Sequence, residues 1–391
     1  MLRPRSLIKD LRCNAFRETL ASRLMALFLA SIVLGIVPMV IYALLVWRVD
    51  RWEKEPFPLM LVAFFWGAVP SVVFALIAQN GLDLVVPEGD GELSLMTELY
   101  AASFIAPLTE EIFKGIGVLL IFILFRNEID SILDGLIYGS MVGFGFSAVE
   151  NILYFAGQPD AGSLLVLFFL RAFIFGMLHA LFTGLTGVGF ALGKFTKYPI
   201  LKWIWPLLGL AAAMSTHSIH NYFATIGGTH LLFAIVGISF GMIWFLVLVA
   251  VSLVHENRWI RIQLSEEVDQ EVLFAQQALD TANLWSRSSL SAFSRGFGIV
   301  FRRRRLLREA TELAYLKQKL PLVNRTLEQE SALNVQRERV RHLSRADPLV
   351  LSGIIQPGRR LPPPLPPVRR KPPPLVSTKR TPPPLPPRLP G

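Results

Sequence analysis

Charge is scarce in this chain. Only 17% of its 391 residues are Asp, Glu, Lys or Arg, where a soluble domain carries about a quarter. Hydrophobic residues make up 52%, and the mean hydropathy is +0.48. This excludes an ordinary soluble protein and points to a polytopic membrane protein. Cysteine is nearly absent. The single Cys13 excludes an intramolecular disulfide framework and a cysteine-based zinc site. No His-Glu-x-x-His stretch occurs either, so the usual helical zinc-peptidase signature is missing. The basic excess is local: residues 256–391 hold 24 Lys and Arg against 12 Asp and Glu, while the rest of the chain is slightly acidic. The high isoelectric point therefore describes a polar C-terminal third. It does not describe a nucleic-acid-binding domain, and no nucleic-acid partner is expected.

What is present is apolar sequence in span-length blocks. A helix crosses the hydrocarbon core with about 20 apolar residues. Seven candidate spans are read at 24–46, 57–78, 97–125, 134–155, 163–195, 203–223 and 231–253. The expected fold is an all-α polytopic membrane helical bundle of about seven to eight transmembrane helices. Pro107 removes a backbone bond in the third span, which predicts a kink there. Gly176, Gly184, Gly187, Gly189 and Gly193 punctuate the fifth span and allow close helix approach in lipid. The first apolar block is long enough to span and no small-residue cleavage site follows it, so a secretory signal peptide is not expected.

Four regions are expected. Residues 1–23 form a basic N-terminal segment, 24–255 the membrane core, 256–356 a basic and partly helical cytoplasmic region, and 357–391 a proline-rich tail. In the third region, helical patterns run over 263–282, 306–320 and 322–343, with Pro321 interrupting the last two. The run Arg302–Arg305 has the charge to hold anionic lipid, or is a solvated charged face. The tail repeats Pro-Pro-Pro-Leu with a ten-residue period and basic residues between. That composition buries no core and favours extended polyproline II, as a tether or as a ligand for a cytoplasmic partner.

Ionisable residues inside a span cost several kcal/mol unless they line a cavity or find partners. The third span carries Glu110, Glu111 and Lys114, with Glu110 and Lys114 on one helix face. The fourth ends in Phe146-x-x-x-Glu150-Asn151. The fifth carries Arg171 and His179, and the sixth His217-Ser-Ile-His220-Asn221. Each has a bland reading alone: a structural ion pair, an interfacial carboxylate, a packed histidine. Together they place Glu, His or Asn on four consecutive spans and argue for an intramembrane polar site. Three chemistries are compatible with it. A carboxylate and a histidine can activate water for peptide hydrolysis, with Asn stabilising the oxyanion. Histidine and glutamate can ligate zinc. Glu, Lys, Arg and His can relay protons or ions in a transporter, although no inverted repeat is visible.

The ordered set Glu110-Glu111-x-x-Lys114, Phe146-x-x-x-Glu150-Asn151, His179 followed by Thr183, and His217-x-x-x-Asn221 resembles the PrsW-type glutamic intramembrane proteases, distant relatives of the CAAX prenyl proteases. The stretches 48–56 and 134–139 share the likeness, which covers about residues 45–255. The resemblance implies an all-helical membrane fold and cleavage of a membrane-anchored protein, an anti-sigma factor at an extracytoplasmic site being the best-known case. It further implies that Glu110 and Glu111 are the catalytic glutamates, with Glu110 as general base. Glu150, His179 and His217 would hold or polarise water, and Asn221 would donate to the oxyanion. Lys114, Asn151, Arg171 and His220 would support them. No metal or other cofactor is expected on this reading, with zinc as the alternative. The sequence departs from the pattern at His220, an extra histidine, and at Thr183, where an acidic residue sometimes occurs. The competing function class is a non-proteolytic membrane protein, either a transporter or an inactive relative that scaffolds partners through its tail.

Orientation follows from short-loop Lys and Arg. The loops after spans one, three and five carry Arg48, Arg51 and Lys54; Arg126; and Lys194, Lys197 and Lys202. The loops after spans two, four and six carry none. These loops and the tail are expected on the cytoplasmic side of a cell membrane, bacterial by the resemblance. The basic N-terminus conflicts with an odd number of spans and its side is left open. Reporter fusions at Lys197 and Gly391 should report the same side of the membrane, and opposite sides would break the span assignment from the fifth helix onward.

Overall fold

The computed structural model describes residues 4–48, 55–83, 92–282, 297–320, 326–353 and 355. No strand occurs among them. The chain separates into two compact units, residues 1–258 and 259–391. Stretch 49–54, within the sequence likeness, and the proline-rich tail 357–391 lie outside the described residues.

The first unit is built from α1 (Pro4–Trp47), α2 (Phe57–Trp66), α3 (Val72–Asp83), α4 (Glu92–Tyr100), α5 (Ala106–Leu124), α6 (Ile132–Ala156), α7 (Ala161–Phe168), α8 (Leu178–Phe195), α9 (Leu201–Ile226) and α10 (Leu231–Asp269), whose residues from Trp259 onward belong to the second unit. Three wide π-helical turns join or extend these helices, at Gly67–Ser71, Ala101–Ile105 and Phe169–Ile174. Such turns insert a residue into the helical ladder and re-aim the side chains beyond it. The irregularity expected at Pro107 thus falls just upstream, at Ala101–Ile105, and Pro107 itself sits in the first turn of α5, where its missing N–H is not needed.

Among the described residues, five helical segments are long and apolar enough to cross a membrane: Ser22–Trp47, Phe57–Leu82, Ile132–Ala156, Ala161–Phe195 and Gly228–Asp269. The third and sixth expected spans do form helices, α4–α5 and α9, but are not among the five. They are the segments diluted by Glu110, Glu111 and Lys114, and by Thr216, His217, His220 and Asn221. The fifth expected span is broken at Phe175–Met177, beside Gly176, into the short α7 segment and α8.

Helix α6 is the hub. It starts on a capping box in which Ser131 and Asp134 each satisfy the other's backbone N–H. It is buried along nearly its whole length, whereas the other four spans expose most of theirs. Three glycines at four-residue spacing let it lie against α8. A β-carbon on Gly135, Gly139 or Gly143 would stand 2.4, 2.4 or 2.2 Å from the carbonyl oxygens of Gly187, Thr183 and His179 respectively. On another face, Gly145 meets Phe64 of α2 and Gly67 meets Val142 just as closely. Near the start of α6, the Tyr138 hydroxyl donates to Glu55, whose carbonyl accepts from Trp47 Nε1. Glu55 and Tyr138 come from the two flanking stretches that share the sequence likeness, and here they fasten the α1–α2 connection to the hub.

The second unit contains α11 (Ala275–Ala282), α12 (Phe297–Lys319), α13 (Leu327–Arg345) and α14 (Pro348–Leu351). Helix α12 ends at Lys319, and Pro321, where the pattern predicts an interruption, lies outside the described residues. Buried Glu267 is clasped by Lys317 and Arg337. Arg303 turns inward to Asp280 and Asp347, while Arg302, Arg304 and Arg305 are exposed.

Gly139→Val should lower the thermal unfolding midpoint of the detergent-solubilised chain, because overpacking of this kind costs about 1–3 kcal/mol. Gly81→Val serves as the control, since nothing lies within 4 Å of a β-carbon there. Equal midpoints for the two variants would refute the close α6–α8 contact.

Candidate active site

All four motif-bearing helices bring their polar residues to the same end of the bundle. Glu110, Glu111 and Lys114 lie in the first half of α5, and Glu150 and Asn151 near the end of α6. His179 and Thr183 lie in the first two turns of α8, and His217, His220 and Asn221 late in α9. Alternating chain direction does this without long loops. At the far end of α8, Lys194 donates to the carbonyl oxygens of Arg126 and Ile129. Fifteen residues of helix separate Lys194 from His179, about 22 Å at 1.5 Å per residue.

Lys114 stands at the centre, fully buried. Its Nζ donates to Glu111 Oε1 at 2.8 Å and to Glu110 Oε2 at 3.2 Å. It lies 3.0 Å from His179 Nδ1 and 3.9 Å from the centre of the Phe146 ring. An ammonium group cannot accept a hydrogen bond, so His179 Nδ1 is the acceptor. His179 then carries its proton on Nε2, which meets Glu150 Oε2 at 2.7 Å. His217 is arranged alike. Its Nδ1 meets Glu111 Oε1 at 3.0 Å, and its Nε2 faces Glu110 Oε2 at 3.9 Å. Each imidazole thus has a carboxylate on one ring nitrogen; the other meets Lys114 in His179 and faces Glu110 in His217. One donor atom from each of Glu110, His179 and His217, all buried, lies within 4.8 Å of the other two.

A second layer fixes these groups. Thr183 Oγ1 donates to Glu111 Oε2 at 3.2 Å. Arg171, on the π-helical turn before α8, donates to Glu150 Oε2 and to Asn151 Oδ1, each at 2.7 Å, and stacks on Tyr154. Phe182 stacks on His217 with ring centres 4.7 Å apart. Gln79 of α3 was not picked out by sequence reasoning. Its Nε2 donates to Thr109 Oγ1 at 3.2 Å and approaches Glu110 Oε1 at 3.4 Å. The only signal was an amide near the end of an apolar span, and adjacent Asn80 gives the same signal while facing outward to the Leu76 carbonyl.

Of the sequence-selected residues, the structure brings Glu110, Glu111, Lys114, Glu150, His179 and His217 into one connected cluster, with Arg171 and Asn151 on its Glu150 side. Asn221 stands apart. Its Nδ2 donates to the Ala102 carbonyl at 2.9 Å, on the π-helical turn that precedes α5. His220 packs edge-on against Phe175.

Two imidazoles and a carboxylate thus stand close together, and each imidazole is oriented by a further carboxylate. Comparison with known proteins gives the family. The family described as "PrsW family intramembrane metalloprotease" matches residues 55–252. Three curated relatives bear the name Protease PrsW. The one from Clostridioides difficile (strain 630) is 30% identical over 121 residues, 31% of this chain and 48% of that protein. The Bacillus subtilis (strain 168) protein is 27% identical over 198 residues, 50% of this chain and 83% of that protein. The Geobacillus kaustophilus (strain HTA426) protein is 28% identical over 160 residues, 40% of this chain and 63% of that protein. The matched stretch thus spans from about half to most of the length of these relatives. No solved structure matches the chain. By its motifs, and by a family match covering half its length, this chain belongs to the PrsW family.

Proposed function

We propose that the chain is an intramembrane endopeptidase that cuts membrane-anchored proteins in the extracytoplasmic half of the bilayer. The observation that carries this is the buried convergence of Glu110, His179 and His217 at the end of the bundle remote from Lys194 and Arg126. An anchored anti-sigma factor is the substrate class that the resemblance implies.

The donor set fits a divalent metal ion. Two imidazoles and one carboxylate are a common catalytic zinc set, and carboxylates already hold the outer ring nitrogens of both histidines. A metal ion bound there supplies Lewis acidity toward water and toward the scissile carbonyl. The protein's own contributions follow from the contacts. Glu111 holds the Nδ1 proton of His217, so its Nε2 lone pair points toward Glu110. Glu150, pinned by Arg171, does the same for His179 through Nε2. Thr183 occupies the second oxygen of Glu111 and keeps it from rotating. Glu110 would complete that ligand set; where no metal is bound, it is the carboxylate placed to accept the proton of the attacking water.

The metal-free reading of the sequence remains as a second one, because a specific contact favours it. Lys114 Nζ lies within 3.2 Å of Glu110, Glu111 and His179 Nδ1. A protein cation therefore stands among the same donors and can keep Glu110 ionised as general base. Asn221 would serve as oxyanion donor only after releasing the Ala102 carbonyl.

Glu110→Gln should lower cleavage of a single-pass reporter by about 10²–10⁴-fold while the chain stays folded; a tolerated substitution would favour the scaffold or transporter. Phenanthroline should abolish wild-type cleavage, and zinc should restore it. Undiminished cleavage under chelation, with Glu110→Gln still inactive, would select the Lys114 reading.

Arg171→Gln frees Glu150 to turn away from His179, and outer-layer losses of this kind cost about 10–100-fold. Arg171→Lys should not rescue it, because one ammonium cannot reproduce the paired contacts to Glu150 and Asn151. Wild-type kcat/KM in the Arg171→Gln variant would show that Glu150 needs no such anchor.

A further inference from the structure

The run Arg302–Arg305 is a polar feature that the chemistry above leaves unused, and the structure divides it. Arg303 turns into the second unit, where it pairs with Asp280 and Asp347. Leu306, Leu307, Ala310 and Leu313 of α12 are buried on that same side of the helix. With this side held inward, Arg302, Arg304 and Arg305 are exposed, and no carboxylate pairs with them among the described residues. Arg308, 66% exposed, extends the face one turn beyond Arg304 and lies 3.7 Å from Glu309 and from Glu312. At 3.6 residues per turn, Arg304, Arg305 and Arg308 fall within about 100° of arc. Like charges three and four residues apart on a helix repel one another. Arginines elsewhere in the unit are compensated: Arg337, Arg339 and Arg341 of α13 each pair with a glutamate.

We propose that this face of α12 docks on a membrane surface that contains anionic phospholipid. Chain connectivity and the adjoining sequence select a bilayer over a soluble polyanion. The second unit begins at Trp259, six residues beyond the expected end of the last span at 253. Six residues reach about 20 Å at most, so the chain holds the start of the unit near the headgroups. The five residues before Arg302 read Phe297-Gly-Ile-Val-Phe301. Apolar residues beside a basic face are the composition of a segment that lies on lipid. Lipid phosphates turn the mutual repulsion of the arginines into attraction, at about fivefold in the docking equilibrium for each basic residue. The inference does not rest on the proteolytic reading, since a scaffold or transporter with the same second unit would dock in the same way.

The test uses the full chain in lipid nanodiscs. Cys13→Ser removes the native thiol, and Glu312→Cys supplies a labelling site at an exposed position one turn beyond Arg308. A fluorophore there is quenched by lipids carrying a nitroxide headgroup when the face docks. Quenching should be strong in phosphatidylcholine mixed with phosphatidylglycerol and weak in phosphatidylcholine alone. Salt at about 1 M, which screens charges beyond about 3 Å, should bring the mixed discs down to the weak level. In mixed discs, Arg304→Gln with Arg305→Gln should lower the ratio of docked to undocked label about 30-fold. Arg341→Gln with Arg345→Gln removes the same charge from α13 and should change that ratio by less than about twofold. The Arg304 and Arg305 double variant should keep the wild-type thermal midpoint, because both side chains are exposed. Equal quenching in the two lipid compositions, or an equal fall in the two double variants, would overturn the inference. Weak quenching in mixed discs, with a fluorescence shift on adding heparin, would assign the face to a soluble polyanion and overturn it as well.

Discussion

The backbone contact between α6 and α8 is the constraint on which the site depends. At Gly135, Gly139 and Gly143 the α6 backbone touches the carbonyls of Gly187, Thr183 and His179. The facing residues recur every four positions on both helices, so one sequence period sets a continuous seam. In lipid no hydrophobic force draws apolar helices together, and small residues in close contact provide the packing instead. Two of the three facing carbonyls belong to His179 and Thr183, which hold Glu150 and Glu111. The seam therefore fixes the depth and rotation of the side chains that orient the carboxylates. Were α8 to ride one methyl group further out, the 2.7 Å contact between His179 and Glu150 would open.

Burying so many charges sets a second constraint. Glu110, Glu111 and Glu150 are opposed by Lys114 and Arg171, with the histidines as neutral hydrogen-bonding partners. Removing one member of a buried pair is costly because its partner is left desolvated. Arg171 and Lys114 consequently act as structural and chemical parts at once.

Much of this was legible before any fold was known, for a physical reason. Lipid tolerates ionisable groups only where they serve a purpose, so Glu110, Glu111, Glu150, His179 and His217 stood out against an apolar background. Helical periodicity then placed Glu110 with Lys114. What the sequence could not convey was connectivity between helices. Lys114 is central because of its contact with His179, 65 positions away, and no local pattern encodes that. Asn221 was chosen for its spacing from His217, yet its amide faces the π-helical turn at Ala102, because that turn brings a carbonyl within reach that regular α geometry would keep in its own ladder. Gln79 was hidden for the opposite reason: a single amide near a span end is unremarkable until α3 is seen to pack on α5. The span count is the part that apolarity decides least. Helices α4–α5 and α9 fall below the apolarity of a simple span, since each polar residue in the cluster lowers the signal by which a span is recognised.

The placement of the cluster along the bundle joins these points. With four helices of alternating direction, a polar layer can lie at mid-depth or at one end. Mid-depth would bury every unpaired group in hydrocarbon, far from any water, while hydrolysis consumes a water molecule in each turnover. An end layer shortens the path for water and still leaves most of each helix apolar. At the remote end Lys194 ties α8 to the Arg126 and Ile129 carbonyls. Lys194 and Arg126 stand at the end opposite Glu110, so a bundle oriented as proposed, with its basic loops cytoplasmic, would turn the cluster toward the extracytoplasmic face.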